Sequence, residues 1–97
     1  MMIFHIAVCG PDAGLRSGLE RQCMEYFARR EDACIVQQLA DPEQLLRREA
    51  DAERIDLYLI ELSAVADPAG LRAAAELRRR GRKAPIAFIA RTPAHAY

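Results

Sequence analysis

Strand-like and helix-like segments alternate along the whole chain, and this alternation points to a parallel α/β sheet. Ile3–Cys9 is apolar apart from His5, the pattern of a strand covered on both faces. The turn Gly10-Pro11-Asp12-Ala13-Gly14 leads into a helix over Leu15–Arg30 with an apolar stripe of Leu15, Leu19, Cys23, Tyr26 and Phe27. Asp12 is placed to cap that helix. Gly18 weakens it by about 1 kcal/mol against Ala, and the expected compensation is close packing on the sheet.

Ala33–Gln38 predicts a second strand. Asp41-Pro42-Glu43-Gln44 carries three signals of a helix start: an acidic cap, Pro at the first helical position, and Gln three residues after the cap. Leu45, Leu46 and Ala50 form its buried side. Ile55–Leu62 predicts a third strand. Asp67-Pro68 repeats the helix-start pattern, with Leu71, Ala74, Ala75 and Leu77 as the apolar side and Gly81 as the stop. Pro85–Ala90 is the fourth strand. Short right-handed crossovers then give the strand order 2-1-3-4. Sites in such sheets lie at the carboxyl ends of the strands, where strand order reverses. Three places qualify: Gly10–Asp12, Glu61–Leu62 and Ala90–Thr92.

With 97 residues the chain is expected to form a single domain. Fourteen Lys+Arg balance fourteen Asp+Glu, so overall charge gives no support to nucleic-acid binding. No apolar run approaches the roughly 18–20 residues that span a bilayer, so no membrane partner is expected. Met1–Cys9 lacks the basic start and cleavage site of a signal peptide. Cys9, Cys23 and Cys34 have no C-x-x-C spacing, which suits reduced thiols in the cytoplasm. His5 and His95 lie at opposite ends of the chain without zinc-ligand spacing, and no catalytic triad pattern accompanies them. Gly10, Gly14 and Gly18 match neither G-x-G-x-x-G nor a P-loop, leaving a nucleotide-binding reading weak. The basic run Arg78-Arg79-Arg80-Gly81-Arg82-Lys83 reads as a solvated helix end favoured by the helix dipole, the lesser alternative being a contact to phosphate or an acidic partner. No aromatic residues interleave with it to stack on bases.

Three stretches resemble a known family. Ile6-Ala7-Val8-Cys9 with its turn is similar to the first strand of receiver domains in LytTR-class, AgrA-like response regulators. Asp56–Gly70, D-L-Y-L-I-E-L-S-A-V-A-D-P-A-G, resembles their third strand and following loop. Pro85–Ala90 resembles their fourth strand, and Ala96-Tyr97 falls where an aromatic often follows it. The resemblance implies a flavodoxin-like, receiver-like three-layer sandwich, incomplete at its C-terminus because the fifth strand and helix are missing.

In the family an acidic pair after the first strand holds Mg²⁺, an Asp ending the third strand accepts a phosphoryl group, and a hydroxyl residue ending the fourth strand and a Lys after the fifth hold that group. That transfer needs a cation to neutralise charge between the carboxylate and its anionic donor. This chain departs at each position. Gly10 and Pro11, with Asp12 adjacent, stand at the acidic pair, Glu61 at the phosphoacceptor and Ala90 at the hydroxyl, and the Lys position is absent. Mg²⁺ binding is therefore expected to be weak or absent, with no cofactor and no metal site, since one carboxylate beside Glu61 makes a poor site. Glu61 is expected to be an ordinary strand-end carboxylate in water or paired with Arg91; a built-in charge mimicking a phosphorylated state is the alternative. A shifted acceptor at Glu61 or Asp67 would make the domain phosphorylatable, although Asp67 reads as a helix cap before Pro68.

The expected function is a pseudo-receiver, not an enzyme, that belongs to a two-component transcription regulator and acts through protein contacts. Its expected partners are a second copy of itself, which would cover the open fourth strand, and a sensor kinase. DNA would be contacted through a LytTR domain downstream, no residue of which is present.

Overall fold

The computed structural model describes residues 1–51, 54–62 and 68–90. In chain order these form β1 (Ile3–Cys9), α1 (Ala13–Arg29), β2 (Ala33–Leu39), α2 (Pro42–Asp51), β3 (Leu57–Leu62), α3 (Pro68–Arg79) and β4 (Ile86–Ala90). All strand pairs are parallel, in the order β2-β1-β3-β4. This is the arrangement of flavodoxin-like folds without a fifth strand among the described residues. No helix of the described residues is long and apolar enough to cross a membrane.

Register assigns each side chain to a face, because alternate residues of a strand point to opposite sides. Ala7 and Cys9 of β1 share one face with Tyr58 and Ile60 of β3; with Leu39 of β2, Leu45 of α2 and Leu77 of α3 they form the main core. Full burial of an aliphatic or aromatic side chain contributes roughly 1.5–3 kcal/mol. The opposite face carries Ile6 and Val8, both fully buried, and Phe4, whose ring stacks on Phe27 of α1 at 4.7 Å.

The predicted caps form. Asp12 Oδ1 accepts from the Leu15 N–H at 3.0 Å, and Asp41 Oδ1 from the Gln44 N–H at 2.9 Å. The Gln44 side chain reaches back to the Ala40 N–H, one residue earlier than a standard capping box. Pro42 and Pro68 each occupy the first helical position. Asp67 lies outside the described residues. Helix α3 ends in a Schellman motif: Gly81 has φ +84°, its N–H donates to Arg78 O, and the Arg82 N–H to Leu77 O. Helix α1 ends in the same motif with Glu31 at φ +60° where glycine would be expected.

Several expectations need correction. The amino half of β1 is not covered on both faces: Ile3 and, on the same face of β2, the His5 partner Ile35 are exposed, because α2 and α3 pack over the carboxyl half of the sheet. Gly18 faces open space, so it does not serve close packing. Tyr26 is exposed and leans edge-on against Phe27 beneath Arg30, outside the buried stripe. Helix α3 buries Gly70, Ala73 and Leu77, leaving Leu71 and Ala75 exposed. The cause lies at Gly70, where a β-carbon would stand 2.7 Å from Leu62, so the bare backbone sets the closest approach to β3. The third strand starts at Leu57, since Asp56 is engaged end-on with His5: its N–H donates to His5 O, and its Oδ2 accepts the His5 N–H at 2.8 Å.

Candidate functional site

The carboxyl ends of β1 and β3 converge with the start of α1. Glu61 ends this face of β3, on the same side as Gly10, one residue beyond the Cys9–Ile60 pair. Its side chain is 6% exposed, which overturns the expectation of a solvated carboxylate. The carboxylate lies over the bare Cα of Gly10 and accepts the Asp12 N–H on Oε1 at 3.3 Å. A β-carbon on Gly10 would stand 2.4 Å from Glu61 Oε1 and 2.5 Å from Glu61 Cβ. Gly10 therefore makes the room into which Glu61 folds. Arg91, the other expected partner, lies outside the described residues, as do Thr92, His95 and Tyr97.

Both carboxylates at this rim are thus engaged with backbone. Asp12 holds the first turn of α1 through Leu15, and Glu61 meets the N–H of the cap residue itself. Negative charge at a helix amino end is favoured by the unsatisfied N–H groups and the helix dipole. Mg²⁺ would demand carboxylate oxygens free to complete near-octahedral coordination. The donor set does not fit it: Gly10 and Pro11 carry no ligand atoms, and no group of three His, Cys, Asp or Glu among the described residues could hold a metal.

On the fourth strand Glu61 is paired with Ile89, whereas Ala90 is paired with Leu62 and falls on the opposite face. Neither Ile89 nor Ala90 offers a hydroxyl.

One cation of the rim was not evident from sequence. Arg16, one turn into α1, donates through Nη1 to Gly10 O and through Nε to Gln38 Oε1 at 3.3 Å. Gln38 Nε2 in turn donates to Glu20 Oε1 at 2.7 Å. The Gly10 N–H donates to Leu39 O at 2.9 Å, tying the ends of β1 and β2. The available signal was position: Arg16 lies four residues after the Asp12 cap, and i, i+4 residues share a helix face.

The cysteines lie apart from this rim. Cys9 is buried in the main core, and Cys23 and Cys34 are half-buried. Burial pushes the Cys23 thiol up, with Cys34 and Glu20 adding to it; burial and then Glu20 do the same to Cys34. Raised thiols are the unreactive kind.

No family model, curated protein or solved structure matches the chain.

Proposed function

We propose that this chain is a receiver-like regulatory module of a two-component-type transcription regulator, and that it signals by protein contact without phosphoryl transfer. One observation carries the reading: Glu61 is buried over Gly10 and bound to the Asp12 N–H at the rim where a receiver would bind Mg²⁺ and phosphate. A carboxylate held there fills the space at the helix start with its own oxygens. An acceptor must instead present a free oxygen to its donor beside a cation.

The partner in this reading is a second copy of the chain. Phe88 on β4 is 41% exposed, and the outer edge of β4 pairs with no strand among the described residues. An open strand edge with an exposed aromatic invites pairing. A sensor kinase is a further partner in the same reading, DNA is reached through a downstream domain, and the location is cytoplasmic with reduced thiols. Incubation with Mg²⁺ and a small phosphodonor tests the proposal: the intact mass should stay unchanged, and gain of one phosphoryl group would refute it.

A further inference from the structure

Helix α1 lies over the sheet face that carries Phe4, Ile6 and Val8, and it runs antiparallel to β2. Two contacts fix its course. Near its start Arg16 and Glu20 meet Gln38 on β2. Near its end the Phe27 ring stacks on Phe4, whose neighbour on β2 is Cys34. Gln38 and Cys34 share one face of β2, because alternate residues of a strand point the same way.

Cys23 falls three residues after Glu20 and four before Phe27, on the same side of the helix as both. The two anchors therefore carry Cys23 onto the stretch of β2 between Gln38 and Cys34. Both thiols are half-buried in this layer. After burial itself, Cys34 is what most raises the Cys23 thiol, so the two sulfurs stand within one another's field. Cys9 is set apart on the other face of the sheet, in the main core with Ala7, Tyr58 and Ile60.

We infer that Cys23 and Cys34 are a redox pair that closes to a disulfide and ties α1 to the edge strand β2. The oxidant is a low-molecular-weight disulfide of the glutathione type. One cysteine, as thiolate, attacks a sulfur of that disulfide and releases one small thiol. The other thiolate then attacks the protein sulfur of the mixed disulfide and releases the second. Two electrons and the two thiol protons pass from the protein to the small thiols, and one S–S bond replaces another. Burial, followed by neighbouring charge, keeps both thiols protonated near neutral pH, so the exchange is slow. The pair stays open under a reducing poise and answers sustained oxidation. The loop it closes contains the α1–β2 turn with Glu31 at φ +60°, and closure removes freedom from that loop in the unfolded chain.

Oxidised glutathione is the probe, applied to the native full chain at about pH 8.5, near the ordinary thiol range. The product is followed by intact mass and by a tryptic map without reductant. Trypsin separates the three cysteines, since Arg16 and Arg21 lie between Cys9 and Cys23, and Arg29 and Arg30 between Cys23 and Cys34. The expected product is the chain less two hydrogens, with Cys23 joined to Cys34 and a higher urea midpoint than the reduced chain, all reversed by dithiothreitol. Cys23→Ser and Cys34→Ser should each abolish the loss of two hydrogens. The inference is overturned by stable glutathione adducts on Cys23 and Cys34 without closure, by a bridge to Cys9 or between chains, or by closure that occurs only in urea.

Discussion

Glu61 and Gly10 are mutually exclusive with any larger pair: the Glu61 side chain fills the volume that a Gly10 β-carbon would take, at 2.4 Å from Oε1 and 2.5 Å from Cβ. The second distance matters more, because Cβ is fixed to the strand and cannot swing aside. Gly10→Ala should therefore destabilise the fold by about 1–3 kcal/mol, the usual cost of overpacking. Glu61→Ala should not rescue it, since the offending Cβ remains, whereas Glu61→Gly should recover part of the loss. Urea unfolding of the three proteins measures this. Gly70→Ala offers a comparison: its nearest neighbour is the movable Leu62 Cδ2 at 2.7 Å, so a smaller loss is expected.

The two helix ends give opposite expectations. Glu31 holds φ +60° and Gly81 φ +84° at equivalent positions of their Schellman motifs. A side chain in the left-handed region costs roughly 1–2 kcal/mol. Glu31→Gly should raise the unfolding midpoint, by up to about 1 kcal/mol after the added freedom of the unfolded chain is counted. Gly81→Ala should lower stability by about 1 kcal/mol, although nothing stands within 4 Å of its β-carbon site. Thermal unfolding of both variants separates backbone strain from packing.

Acidification should act on the end of α3. Glu76 accepts from Arg79 and Arg80, and the hydrogen bond to Arg79, followed by that to Arg80, pushes its carboxyl down to about 2. The folded value lies below the unfolded one, so this contribution is present above the ordinary carboxylate range and is lost as pH falls toward 2. The carboxylate is partly exposed and its arginine partners reach into solvent, so salt screens the pair and the effect is local. Carboxyl NMR titration should give a Glu76 midpoint well below the ordinary glutamate range. A midpoint within that range would contradict the pairing.

Self-association should depend on Phe88. Light scattering after size exclusion, at roughly tens of micromolar, is expected to give a dimer. Phe88→Ser should shift it toward monomer with little change in unfolding, because the ring is already 41% exposed. A wild-type monomer would remove the second copy from the functional reading.

Much of the architecture was legible before any coordinates. Strand order followed from alternation and crossover handedness, and Asp12, Asp41 and Pro42 marked helix starts that formed. Contact between elements was less legible. The face of α3 turned on the close approach at Gly70, which a count of apolar residues cannot weigh. Burial of Glu61 depended on the register that places it over Gly10, and a carboxylate at a strand end reads as solvated when that neighbour is unknown. Register also sets Ile89 beside Glu61 and puts Ala90 on the other face, an arrangement the sequence alone does not display.

The most direct trial of a self-filled rim is intact-mass spectrometry of the chain after incubation with Mg²⁺ and a small acyl phosphate. With Glu61 folded over Gly10 and bound to the Asp12 N–H, the mass should remain that of the unmodified chain. A single added phosphoryl group mapped to Glu61 would contradict the proposal.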